Sequence, residues 1–209
     1  FLPSGKKERR EQLQELSRLL PLGEARFETF RFDLYDSAEW EGYGISPRAN
    51  MERNFDVCRD FACQFSRGGG DLLLSGGTGL GKTFLSACIA RVVSESGFSV
   101  VYDTAISIFA KLENDKFRPD EETAAEVRRC EGCDLLILDD LGTEMTTSFV
   151  QSALYQLVNG RMIAGRSTII STNLAPEELG QRYGAAILSR IEGGYEILPF
   201  FGEDIRRKR

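Results

Sequence analysis

The residues with the clearest chemistry are Gly76-Gly77-Thr78-Gly79-Leu80-Gly81-Lys82-Thr83, a complete G-x-x-x-x-G-K-[ST] pattern. Glycines at this spacing let consecutive backbone N–H groups turn inward as an anion nest. The N-terminus of the following helix adds the positive end of its dipole. Lys82 has the reach for the β- and γ-phosphates of a nucleoside triphosphate, and the Thr83 hydroxyl can ligate Mg²⁺. Phe84, next in line, completes the nucleotide-binding set. The setting is the required one, with the apolar run DLLLS before the loop and FLSACIARVV after it. The bland alternative is a glycine-rich turn that caps a helix.

A second group lies about 55 residues downstream. Leu135-Leu136-Ile137-Leu138 runs into Asp139-Asp140, and a buried parallel strand delivers its terminal carboxylates to the sheet edge where phosphate loops sit. Asp139 is expected to hold Mg²⁺ through water. Asp140 is expected to orient or deprotonate an attacking water, and a second acid favours hydrolysis over transfer to an acceptor. A third strand end, Ser171-Thr172-Asn173, offers a polar side chain. Asn173 reads equally well as a contact to the γ-phosphate or lytic water and as a helix cap before Ala175-Pro176.

These residues need a scaffold, and the pattern supplies one. Short apolar runs at Asp71–Ser75, Phe98–Tyr102, Asp134–Asp139, Ser167–Thr172 and Glu196–Phe200 alternate with amphipathic segments at 82–96, 104–116, 120–131, 147–164 and 185–192. Near-continuous apolar strands separated by helices predict an α/β fold with a parallel sheet covered on both faces. Upstream, residues 6–20 place Leu13, Leu16 and Leu20 at helical spacing until Pro21. Residues 27–50 are aromatic and irregular, a wrapping segment, and Pro47–Phe65 reads as a helix closed by Gly68-Gly69-Gly70. The division expected is an N-terminal helix and aromatic linker over 1–45 and an ATPase domain over 46–209.

The 209 residues suit one domain with a short appendage. Acidic residues outnumber basic ones 32 to 26, giving −6, so the surface as a whole should repel phosphate backbones. With no histidine, His-ligated metals and Ser–His catalysis are excluded. No stretch approaches a bilayer span, so no membrane role is expected. Five cysteines without a secretion signal read as reduced thiols in a cytoplasm. Cys130-x-x-Cys133 with Cys58 and Cys63 is a loose match to a zinc site, and buried thiols are the preferred reading. The chain opens on Phe1, not Met, and upstream sequence is expected to be missing.

The loop, the string from Cys133 through Asp139-Asp140 to Thr143-Glu144, the Ser171–Leu174 edge, Leu188-Ser189-Arg190-Ile191 and the closing Gly202–Arg206 occur in one order. That order resembles DnaC/DnaI-type bacterial helicase loaders, AAA+ P-loop NTPases to which the transposition ATPase IstB is a close relative. The resemblance covers roughly residues 27–209. It implies a five-stranded parallel sheet in the order 5-1-4-3-2, ATP and Mg²⁺ as cofactors, and subunits that complete each other's sites. Arg190 matches the family's arginine finger, although on residue chemistry alone it reads as a helix-surface arginine. Arg206 matches a late arginine proposed to sense nucleotide, and the basic run Arg206–Arg209 alternatively reads as a solvated tail. Phe27 and Phe30 match the aromatic segment before the domain, with packing the preferred role and adenine contact the other.

The resemblance implies a replicative DNA helicase as partner, through a region that would precede Phe1, and single-stranded DNA contacts at residues 111–131. That segment mixes Lys111, Lys116, Arg118, Arg128 and Arg129 with seven acidic residues, so it would neutralise few phosphates. The function expected is an ATP-hydrolysing replication protein that loads or remodels the helicase. The rivals are an IstB-like transposition ATPase and a nucleotide-gated adaptor without useful hydrolysis.

Overall fold

A computed structural model describes residues 25–208. The predicted helix at 6–20 lies outside the described residues. Two single 3₁₀ turns, Phe27–Thr29 and Phe32–Leu34, open the described chain. They lead to α1 (Pro47–Cys63), β1 (Asp71–Gly76), α2 (Lys82–Glu95), β2 (Val100–Thr104), α3 (Ala105–Phe117), α4 (Glu121–Gly132) and β3 (Leu135–Leu141). The remainder is α5 (Ser148–Ile163), β4 (Ser167–Thr172), α6 (Pro176–Tyr183), α7 (Ala185–Gly194), β5 (Tyr195–Phe200) and a closing 3₁₀ turn, Ile205–Lys208. All strand pairings are parallel, in the order β2-β3-β4-β1-β5. Read from the other edge this is 5-1-4-3-2, as the resemblance implied.

Alternate side chains of each central strand enter opposite cores, as period-2 geometry requires. Leu72, Leu74, Leu135, Ile137 and Ile169 pack beneath α1 and α2, with Met51, Phe55, Leu85 and Ile89 above them. Leu73, Leu136, Leu138 and Ile170 face the other way, toward Ile108, Leu154, Leu157 and Ile187. Continuous apolar runs therefore mark strands buried on both faces. The aromatic segment joins the first core: Phe27, Leu34 and Tyr35 are buried, and Phe27 meets Phe55 edge-on at 5.3 Å.

Helix starts follow local chemistry. Ser46, Thr104, Asp120 and Thr147 each accept a hydrogen bond from the amide three residues on, capping α1, α3, α4 and α5. Two strands sit off their expected positions. β2 begins at Val100 rather than Phe98, because Ser99 donates to Asp134 through both its amide and its hydroxyl while Phe98 turns onto Phe65. β3 runs on past Asp139 to Leu141, with a register irregularity between Leu138 and Leu141.

The cysteines are free thiols; Cys58, Cys88, Cys130 and Cys133 are buried and Cys63 is exposed. No cluster of metal-binding side chains occurs among the described residues. The Cys130–Cys133 turn is instead held by the buried Arg161, whose Nη1 donates to the carbonyls of Cys130, Glu131 and Cys133. No helix of the described residues is long and apolar enough to cross a membrane.

Candidate functional site

β1 ends at Gly76, α2 begins at Lys82, and the loop between them wraps the N-terminus of α2. Its backbone tolerates no side chain at Gly79, where φ is +73° and a Cβ would stand 1.9 Å from Asp204 Oδ1. The Lys82 ammonium, with the residue only 5% exposed, donates to Gly76 O (2.5 Å), Gly77 O (2.6 Å) and Asn173 Oδ1 (2.9 Å). Burial pulls its pKa down to about 8, opposed by the carboxylates of Asp140 and Asp139 and assisted by Arg206.

Thr78, Gly79, Leu80, Gly81, Lys82, Thr83 and Phe84 line one cavity of about 530 Å³ together with Asp140, Asn173 and Arg206. That volume is in the range of small-molecule and cofactor sites. Gly76 and Gly77 lie behind it and reach it through Lys82. Asn173 is not a helix cap: α6 starts at Pro176 with Ala175 in the cap position, and the Asn173 amide oxygen is committed to Lys82. The cap reading thus falls away, and Asn173 lines the cavity beside Lys82.

The two strand-end acids behave differently. Asp140 takes the left-handed conformation (φ +54°), which Asp tolerates better than most residues, and lines the cavity. Burial and the neighbouring Asp139 raise its pKa, while Lys82 and Arg206 oppose the shift. Asp139 is buried and off the cavity wall. It accepts from the Tyr102 hydroxyl at 2.5 Å and from the Ser171 hydroxyl, so that β2, β3 and β4 each give one residue to a polar row. Ser171 also accepts from the Asp140 amide at 3.0 Å, tying the two acids to one side chain.

Arg206 chelates Asp204, with Nε–Oδ1 at 2.9 Å and Nη2–Oδ2 at 2.6 Å. This pairing holds the Asp204 carboxyl at about 2. Arg190 is exposed on α7 and lies outside the cavity. Phe27 packs in the core, whereas Phe30 forms part of the cavity wall. It meets Phe84 edge-on at 5.6 Å and lies flat on Tyr35 at 5.8 Å.

Sequence reasoning missed Tyr35, Tyr102 and Asp204. The aromatic run from Phe27 to Tyr35 was visible, but its docking onto the phosphate loop is a tertiary fact. Tyr102 could have been found by alternation, since it pairs with Ile137 and so shares a face with Asp139.

The donor set fits a nucleoside triphosphate with Mg²⁺. Thr83, Asp139 and Asp140 offer hard oxygen ligands. Mg²⁺ is ordinarily held by one or two carboxylates plus phosphate oxygens rather than by an all-protein cage. Residues 51–209 match the family described as IstB-like ATP binding protein. The replicative helicase loader DnaC of Escherichia coli (strain K12) is 24% identical over 177 residues, covering 84% of this chain and 71% of that protein. A crystal structure of the DnaC helicase loader superposes with a TM-score of 0.70 at 20% identity, covering 87% of this chain and 99% of that one. The replication initiator DnaA bound to AMPPCP and single-stranded DNA gives a TM-score of 0.66 at 21% identity, covering 88% and 51%. The two structures speak for the fold, and the family match spans most of the chain: this protein belongs to the IstB-like ATP-binding family.

Proposed function

We propose that this chain binds and hydrolyses ATP with Mg²⁺ to load or remodel a replicative DNA helicase. One observation carries the nucleotide part of this reading: loop residues Thr78–Thr83, Asp140 and Asn173 line a single cavity at the sheet edge. The similarity to DnaC loaders supports the helicase part.

The chain's own residues suggest the division of labour. Lys82 and the α2 N-terminus balance the charge of the β- and γ-phosphates, and Asn173 aims Lys82. Asp140 borders the cavity with a raised pKa, suited to orienting and accepting a proton from the attacking water. Thr83 and, through water, Asp139 would hold Mg²⁺, which would supply neutralisation of phosphate charge. Arg206 can exchange Asp204 for a phosphate, because a carboxylate and a phosphate each present two oxygens to the planar guanidinium fork. Arg190 is exposed outside its own cavity, which supports a role in completing a neighbouring subunit's site with a permanently charged guanidinium.

Single-stranded DNA is a secondary partner in this reading. Two of the five cations of segment 111–131 are engaged internally: Lys111 bonds Asp103 at 2.9 Å and approaches Glu126, and Lys116 lies over Phe117 and Phe149. Contact with DNA is therefore expected only where an assembly adds charge from several copies.

The test uses mixtures. Lys82→Ala and Arg190→Ala should each lose ATP turnover, and Arg190→Ala mixed with Asp140→Asn should regain part of it, because one subunit keeps the acid and the other the arginine. No regain at any ratio removes the role of Arg190 between subunits. Capture of the resident replicative helicase by the full-length protein should depend on ATP; helicase-independent bending of duplex DNA would favour the transposition ATPase instead.

A further inference from the structure

We infer that Tyr35 is a positioning residue for the phosphate loop: its hydroxyl ties the Leu80 carbonyl and so fixes the direction of the Gly81 amide that meets the nucleotide's phosphates. This rests on the nucleotide reading above.

A trans peptide points its N–H opposite its C=O, so a loop whose carbonyls are tied has its amides aimed. Five carbonyls of this loop are tied, by four partners. Gly76 O and Gly77 O accept from Lys82 Nζ, Gly79 O from the Ile205 amide at 3.1 Å, Leu80 O from Tyr35 Oη at 3.0 Å, and Gly81 O from the Leu85 amide at 3.0 Å. The Lys82 bonds are the ones a triphosphate would take over, because that ammonium is needed on the phosphates. The Leu85 bond is helix α2 itself. The lasting outside ties are Ile205, from the closing 3₁₀ turn, and Tyr35, from the opening aromatic segment.

Tyr35 is built for this. The residue is 5% exposed, its ring is stacked on Phe30, and its oxygen stands where a Cβ on Gly81 would come within 2.6 Å. Gly81 therefore serves both its left-handed backbone (φ +96°) and the approach of the hydroxyl. A phenol this buried stays protonated and so remains a donor. The same segment walls the cavity through Thr29, Phe30 and Leu34, so base and phosphate ends are joined through one stretch of chain.

The experiment compares ATP with AMP in the full chain, by competition against a fluorescent ATP analogue, for wild type and Tyr35→Phe. The substitution removes one oxygen and leaves the stacked ring; thermal unfolding of the same samples reports folding. Loss of one buried hydrogen bond to the loop should weaken ATP by about three- to tenfold. AMP, which shares the base but has no β- or γ-phosphate for these amides, should change by less than about twofold on the same reasoning. Equal weakening of ATP and AMP would assign Tyr35 to the base wall and overturn the inference, as would no change in either. Failure of the wild type itself to bind ATP would sink the nucleotide reading instead, and the two failures are therefore distinct.

Discussion

Two cations, Lys82 and Arg161, are buried among the described residues, and their surroundings differ. Lys82, at the C-terminal edge of the sheet, is 5% exposed; Arg161, on α5 near the opposite edge, is 1% exposed. Both bond chiefly to backbone carbonyls. Arg161 is fully wired, with Nε on Thr168 Oγ1 at 3.0 Å, Nη2 on Ser167 O at 2.6 Å and Nη1 on the α4 C-terminal carbonyls. Arg161 is not among the residues that line the cavity of about 530 Å³. Lys82 borders a cavity, has two carboxylates within electrostatic reach, and is depressed to about 8. Arg161 also feels a carboxylate, Asp71, so open space rather than opposing charge separates a candidate functional cation from a staple.

Crossing the two residues is the strongest way to break this contrast. Lys82→Met should weaken ATP by roughly 100-fold, the loss of a desolvated charge pair, while thermal stability holds or rises because a buried cation is gone. Arg161→Met should do the reverse, destabilising the fold by about 3 kcal/mol as several buried carbonyls lose their donor, with ATP affinity retained at temperatures where the protein is folded. Calorimetry and chemical denaturation on both variants decide the matter; ATP binding that survives Lys82→Met would erase the distinction.

A smaller effect is expected from the row behind the cavity. Tyr102→Phe frees one oxygen of Asp139, and loss of a partner behind a metal ligand typically costs about tenfold in metal affinity. Mn²⁺ binding to the ATP complex, followed by electron paramagnetic resonance, should weaken accordingly, with ATP binding in EDTA unchanged. Unaltered Mn²⁺ affinity would place Asp139 outside the metal's reach.

The smallest effect concerns pH. The folded-state pKa of Lys82 lies below its ordinary 10.5, so the ammonium is lost as pH rises through about 8. ATP affinity should fall by a few-fold between pH 7 and 9, and Lys82→Met should flatten that slope. Stability moves oppositely: a depressed folded pKa penalises the folded state fully below about 8, and the penalty disappears as pH rises toward 10.5. Titrating affinity and unfolding free energy over the same range tests both signs.

Much of this site was legible before any fold was known. The phosphate loop is local, since its glycines, Lys82 and Thr83 act through consecutive backbone and one helix start, and the pattern therefore carries its own geometry. The acids at the end of β3 were legible because apolar runs that are buried on both faces must end at an edge. Asn173 was undecided, because a cap and a phosphate contact ask for the same side chain; only the start of α6 at Pro176 and the bond to Lys82 removed the cap reading. The different postures of Asp139 and Asp140 were hidden, since they follow from neighbours on β2 and β4.

The sequence by itself determined the chemistry available: a phosphate nest, hard oxygen ligands, no imidazole, and alternating apolar runs that could only form a covered parallel sheet. Tertiary structure decided which of those groups share a cavity. It turned Asp140 in and Asp139 back, set Arg206 on Asp204, left Arg190 outside, and brought Tyr35 and Ile205 from the two ends of the described chain onto adjacent loop carbonyls. The reason is physical: periodicity and turn chemistry act over a few residues, while a hydrogen bond between positions 35 and 80 exists only after the sheet and both cores have brought them together.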